Sequence, residues 1–340
     1  VILGGHGAAK LAAPEAANGG WAPLRWIPVT LPLAHLGGLY GLAELAPMLV
    51  AAGLYAKRSA TLAGKGRPVP IWRQVCFASG LLLIVIATAS PIADVAEELV
   101  IAHMVEHLMI GDIATLLLVL GLTGPLLQPI LAIPVFDKLR VLVNPAIAFP
   151  LWLLNFYFWH IPSLYDAAYG GAFVHVVEHG TFIFFGCLMW MPVFGPLPVP
   201  QWFTAGWKVV YVIAVRFAGA ILGNVLMWSG EVLYKVYAPG EHSWGLSPIA
   251  DQSTAGVIMM LEGTFLGLGL LAWAFFKAAS EGIEKQRLLD LARERGVDLD
   301  PKRAQRAVAS GHGAHLEQQL IASGRDPVPE APRAPPGVGG

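Results

Sequence analysis

Apolar residues fall along this chain in long blocks, separated by short charged or proline-rich stretches, and the blocks exceed what a soluble core helix needs. A bilayer core takes about 20 apolar residues per helix. Seven stretches qualify, at 31–56, 73–90, 99–121, 146–165, 172–194, 206–229 and 252–277. A further apolar piece, Pro125 to Phe136, has about a dozen residues and carries three prolines, so it is expected to lie along the membrane interface. The pattern predicts an all-α, polytopic membrane protein with about seven transmembrane helices. Residues 1–30 would form an extracytoplasmic N-terminal segment and 31–277 the transmembrane domain. Residues 278–325 read as a charged cytoplasmic helical tail, and 326–340 as a Pro/Gly-rich disordered end.

Charge placement sets a direction. Lys57, Arg58, Lys65, Arg67 and Arg73 fill the loop after the first stretch, Lys138 and Arg140 lie in the third, and Lys208 edges the fifth. The alternate loops hold Asp94, Glu97 and Glu98, then Asp166, then Glu231, Lys235 and Glu241. Because positive charge collects on the cytoplasmic side, the N-terminus is expected outside and the C-terminus inside. Composition agrees with lipid as solvent: 56% of residues are hydrophobic and 13% charged, against about a quarter charged in a soluble domain, and mean hydropathy is +0.60. A net charge of −1 gives no footing for nucleic acid. Cys76 and Cys187 both sit inside apolar runs, which excludes a disulfide framework and a Cys-rich metal motif. The Gly/Ala-rich stretch through Gly20 lacks the apolar segment of a signal peptide.

Any metal chemistry must therefore rest on His, Met or carboxylate, and the histidines are patterned. His103-Met-Val-Glu106-His107 and His175-Val-Val-Glu178-His179 both read H-x-x-E-H and each opens a predicted span. Histidines four residues apart lie about 40° apart around a helix, so each pair projects from one face. Both spans start from the same, non-cytoplasmic side, which puts both pairs at one depth, with His160 near them. His35 is a candidate sixth member, though a single interfacial histidine is ordinarily just hydrogen-bonded or solvated. Asp251 is placed to add an oxygen ligand or to hydrogen-bond an imidazole. Glu106 and Glu178 could orient ligands or take up protons, and a packing or helix-dipole role is equally compatible. Imidazole without thiolate suits copper or zinc, or haem iron, and spacing does not choose among them. H-x-x-E-H also marks one class of zinc peptidase. Two copies at symmetric places on two spans point instead to a shared binding site, so no enzyme activity is expected.

Other polar residues fall at depth. Asp112, Arg216 and Glu262 lie midway along the third, sixth and seventh stretches, and an unpaired ion there is costly. At least one carboxylate is expected to pair with Arg216 as a structural clamp. Gly219 and Gly223, on the face of Arg216, form a small-xxx-small step suited to close packing. Cys187, Met189 and Met191 diverge by about 200° at each alternate position and read as core rather than as ligands.

Taken in order, these motifs make the chain resemble the CtaG-type assembly factors of bacterial caa-type cytochrome c oxidase. The resemblance rests on the segments 103–107 and 175–179. It rests equally on Asn155-Phe-Tyr-Phe-Trp159-His160-Ile-Pro162-Ser-Leu-Tyr165 and on Asp251-Gln252-Ser-Thr-Ala255-Gly256, and it covers about residues 33 to 277. It implies a seven-span protein of the bacterial plasma membrane that handles copper for the oxidase, acting at the dinuclear copper centre of subunit II. The motif histidines would be His103, His107, His160, His175 and His179. After the first motif the chain reads Gly111-Asp112-Ile-Ala-Thr where family members often show Ala-Pro-Pro, which marks a divergent subfamily. A haem-binding membrane redox protein and a metal-free assembly scaffold are the competing expectations.

Overall fold

The computed structural model describes residues 39–133 and 138–323, and among these every regular element is a helix. In chain order they begin with α1 (Leu39–Gly64), α2 (Ile71–Ala89), α3 (Pro91–Ala96) and α4 (Val100–Leu108). A π-helical turn, Met109–Ile113, joins α4 directly to α5 (Ala114–Gly121), and α6 (Gly124–Leu131) follows. Then come α7 (Pro145–Trp159), α8 (Pro162–Gly170), α9 (Ala172–Phe194), α10 (Ala205–Trp228) and α11 (Ala238–Trp244). The last three are α12 (Pro248–Glu294), α13 (Pro301–Ala309) and α14 (Gly313–Ser323).

Five of these units are long and apolar enough to cross a bilayer: α2, the continuous α4–α5 rod, α9, α10 and α12. The chain is thus a multi-pass membrane protein with five such helices among the described residues, against the seven expected. The difference arises at two places. The stretch 31–56 starts outside the described residues, and α1 runs on through Lys57 and Arg58 to Gly64. The stretch 146–165 is divided: Pro162 pushes Ile161 to an extended conformation (φ −68°, ψ 125°), so α7 stops at Trp159 after 15 residues. Fifteen residues span about 22 Å, short of a bilayer core of about 30 Å.

The transmembrane core is built where α5, α7, α9 and α10 meet, around Leu116, Trp152, Met189, Trp190 and Val215. Met189 is fully buried there, with Cys187 and Met191 packed against the same cluster. At the end of the bundle opposite the H-x-x-E-H segments, basic side chains finish helices. Arg73 Nη1 donates to the Leu120 and Leu122 carbonyls at 2.9 and 2.6 Å, and Lys208 Nζ to Val193 O at 3.1 Å. Cations there meet the negative ends of the helix dipoles. Arg58 Nη2 reaches Pro125 O at 2.8 Å on the same side.

The composition change after Lys277 does not break the helix: α12 is one 47-residue rod, about 70 Å long, which exceeds any bilayer core. Its distal part carries α13 and α14 on a separate small core of Leu288, Ala292, Val308, Leu316 and Leu320. The expected segments 1–30 and 326–340 lie outside the described residues.

Candidate metal centre

Rods α4–α5 and α9 run side by side in the same direction, and glycine sets how close they come. A Cβ added at Gly186 would sit 2.2 Å from the Gly111 carbonyl oxygen, so the two backbones touch there. That contact lies one to two turns beyond each H-x-x-E-H segment and brings both onto a shared seam. Within each helix the imidazoles stack one turn apart, with ring centroids at 4.1 Å for His103–His107 and 4.0 Å for His175–His179. Across the seam His103 faces His175 at 6.0 Å and His107 faces His179 at 5.4 Å. The glutamates cross over reciprocally. Glu178 Oε1 lies 3.8 Å from His107 Nε2, and Glu106 Oε1 lies 3.8 Å from His179 Nε2, both beyond hydrogen-bond length. All of these residues are buried except His175, which is half-buried.

His160 reaches the site through the break after α7. As the residue that ends that helix it turns back, and Nδ1 lies 2.7 Å from Phe156 O, leaving Nε2 without a partner among the described residues. Such a bond to the carbonyl fixes the tautomer and presents the other nitrogen as a lone pair. Phe182 stands between it and His107, with centroids 4.6 Å from His107 and 6.2 Å from His160. A cavity of about 40 Å³, lined by Met104, His107, His160 and Met259 among others, separates the rings and has room for an ion or a water.

Sequence reasoning did not anticipate the wall beside His103. Tyr165 lies 4.9 Å from His103, stacks on Tyr234 at 4.0 Å, and shares a 3.2 Å hydroxyl contact with Tyr237. Tyr234 also donates to the His160 carbonyl at 3.0 Å. Burial holds the phenols of Tyr165 and Tyr237 well above the ordinary tyrosine value, so they remain neutral donors. Tyr165 belongs to a recognised motif, but Tyr234 and Tyr237 sit in the aperiodic segment between α10 and α11, where no hydrophobic period gives them away.

Both carboxylate oxygens of Asp251 are engaged by backbone, and among the described residues it makes no hydrogen bond to an imidazole. Its carboxylate accepts from the backbone N–H groups of Val100 at 2.8 Å and Ile101 at 3.0 Å, capping the start of α4, whose own flanking residue Leu99 offers no side-chain cap. It therefore positions His103 by holding the helix that carries it. Gln252 beside it accepts from Leu233 N at 2.7 Å and donates to the Ser229 hydroxyl at 2.9 Å, and Gly256 packs its backbone onto Gly223 O. The fourth motif is thus a structural knot tying α12 to α4 and to the end of α10. His35 lies outside the described residues.

The donor set fits a metal ion. The ligating atoms of His103, His107 and Glu178 lie within 4.8 Å of one another, and so do those of His103, Glu106 and His175. Bonds of about 2 Å place two donors at most about 4 Å apart, so closure needs side-chain shifts of under about 1 Å. His103 Nε2, both ring nitrogens of His107, and both oxygens of Glu178 are buried with no hydrogen-bond partner among the described residues. Buried polar atoms of this kind are costly unless something meets them.

Deeper in the bundle, Arg216 Nη1 lies 2.6 Å from Asp112 Oδ2 and 3.6 Å from Glu262 Oε2. Asp112 sits in the π-helical turn, which shifts the angular register between it and His107, and its freed carbonyl accepts from Trp190 Nε1 at 3.2 Å. Gly223 packs closely against α12, whereas a Cβ at Gly219 would meet nothing within 4 Å; only half of the expected small-residue step packs helices.

The family model described as cytochrome c oxidase caa3 assembly factor matches residues 51–281. The uncharacterized protein Mb0105 of Mycobacterium bovis and the uncharacterized protein MT0111 of Mycobacterium tuberculosis are each 25% identical to the chain over 223 residues, covering 60% of it and 33% of their own length. The chain thus spans about a third of the length of the curated relatives it matches. No solved structure matches it.

Proposed function

The chain belongs to the caa3 cytochrome c oxidase assembly factor family, and from that premise we propose that it is a non-enzymatic bacterial plasma-membrane protein that holds copper for a maturing oxidase. The observation that carries the reading is the convergence of four imidazoles and two carboxylates from two parallel helices, with His103 Nε2 and both His107 ring nitrogens buried and without a hydrogen-bond partner among the described residues. Imidazole donors suit copper, and the buried thioethers of Met104 and Met259 at the adjoining cavity suit its reduced form. His103 belongs to both donor sets. An ion can therefore pass between the sets by exchanging two ligands while keeping one, as a site that must release its cargo requires.

The histidine end faces the outside. Arg58, Arg73 and Lys208 gather at the opposite end, as the positive-inside bias demands, and the distal part of α12 with α13 and α14 then lies in the cytoplasm. The recipient is an oxidase subunit whose copper centre sits on that outer side, subunit II, docked over the end of the bundle that carries the short helices α3, α8 and α11.

Purified full-length protein is expected to bind copper at about one or two ions per chain, with His103→Ala combined with His175→Ala abolishing it. Unchanged binding in the double variant would overturn the reading. A Soret band in the purified protein would replace copper by haem, and zinc alone on metal analysis would replace it by zinc. Oxidase assembly that survives the double variant would leave a scaffold in place of a copper donor.

A further inference from the structure

Between α10 and α12, at mid-membrane depth, lies a groove of about 340 Å³ whose floor is the Arg216 cluster and whose walls are apolar. Phe156 lines its back, and Gly219, Gly263 and Thr264 leave it open. Phe217 and Leu268 at its rim are 65% and 60% exposed among the described residues, so the mouth opens toward lipid. The floor is not self-satisfied. Nη1 of Arg216 is spent on Asp112 and Glu262, but Nε and Nη2 have no partner among the described residues, nor do Asp112 Oδ1 and Glu262 Oε1. The guanidinium carbon lies 5.2 Å from the Trp190 ring centre, which backs the arginine from within the protein.

From this arrangement we propose that the groove is a binding site for a membrane-soluble quinone and its quinol. The occupant must come from the bilayer, since the mouth faces it. It must be neutral: a charged head carries a heavy desolvation cost halfway through the bilayer, and Arg216 already has two carboxylates beside it, so an added anion is doubly disfavoured. Its head must lie halfway through the membrane, about 15 Å deeper than the esters of a phospholipid, which stay at the interface. Nε and Nη2 of Arg216, Asp112 Oδ1 and Glu262 Oε1 are buried just beneath the groove surface; a small side-chain shift lets a quinone carbonyl meet the Arg216 nitrogens and a quinol hydroxyl meet one of the carboxylate oxygens. Donors and acceptors side by side allow both forms to bind, and a groove of this volume accommodates a substituted six-membered ring. The inference is independent of what the histidines hold.

The test is photolabelling of the full-length chain in lipid nanodiscs with an azido derivative of decylubiquinone, mapped by mass spectrometry. Label is expected on residues 212–220 or 259–271, competed by decylubiquinone and not by decylbenzene, which has the tail without the carbonyls. Gly263→Leu fills the groove from a position where an added Cβ meets nothing within 4 Å, and it replaces glycine by a better helix former, so folding is preserved. It should weaken labelling at least about tenfold. Arg216→Lys keeps the charge but loses the planar pair of donors, and should weaken it by a similar factor of about ten. Labelling elsewhere, equal competition by decylbenzene, or unchanged labelling in Gly263→Leu would each overturn the proposal.

Discussion

The contact between Gly186 and Gly111 offers a direct way to separate the two halves of the histidine site without touching a ligand. In Gly186→Ala the new methyl would lie 2.2 Å from a backbone carbonyl and 2.9 Å from Thr115 Oγ1, whereas ordinary contact begins near 3.4 Å. The carbonyl belongs to a helix and cannot rotate away, so the rods must part by roughly 1 Å, an overpacking cost of about 1–3 kcal/mol. The better helix propensity of alanine returns about 1 kcal/mol. The net expectation is a lower melting temperature in detergent. Donor atoms that already need to close by up to about 1 Å would be carried further apart, so copper affinity should fall at least about tenfold. Gly180→Ala, on the same helix with nothing within 4 Å of an added Cβ, is the matched control and should be neutral or slightly stabilising. Thermal unfolding and copper competition against a chelator, measured on both variants, decide the matter. If Gly186→Ala equals the parent in both assays, the seam is not set by this contact.

Three further outcomes follow from the site's supports. Asp251→Ala strips two charge-assisted bonds from the start of α4 and should cost about 2–4 kcal/mol in thermal unfolding, with Asp251→Asn costing less because one acceptor remains. Glu241 in α11 is buried beside Asp251, and burial first, then that neighbouring charge, pushes its carboxyl up to about 7 from 4.5. An acid whose folded value is raised keeps its proton in the folded state, so stability should fall as pH rises from about 4.5 to 7 and level off above. Melting curves from pH 4.5 to 8.5 should show that slope flattened in Glu241→Gln, and an unchanged slope would remove Glu241 as its source. Arg216→Met leaves Asp112 and Glu262 facing each other without a cation and should cost about 3–5 kcal/mol by unfolding, more than Asp112→Asn.

Much of the site was legible because helical geometry links sequence spacing to direction. The i, i+4 histidines had to share a face wherever their helices went, and Trp159-His160-Ile161-Pro162 carried its own stop signal. Hydropathy averaged across that proline, however, and so merged α7 and α8 into one span. Asp251 looked like a ligand because it is an acidic residue at the right level. Its partners are backbone amides 151 and 150 positions away, which no local pattern encodes.

What the sequence determined alone is what depends on neighbours along the chain: apolar blocks long enough for lipid, the helical faces of the two H-x-x-E-H turns, and the abrupt charge change after Lys277. What only the tertiary structure decided is what depends on partners far apart in it. That includes the meeting of α4 with α9, the reach of Arg216 to Asp112 and Glu262, the tyrosine wall, and the open side of Gly219. The physical reason is that a helix fixes its own periodicity through hydrogen bonds four residues apart, whereas the choice of neighbour rests on complementary surfaces. Here the surface is Gly186, whose missing side chain lets it rest on the Gly111 carbonyl, and its meaning appears only when that opposing carbonyl is in place.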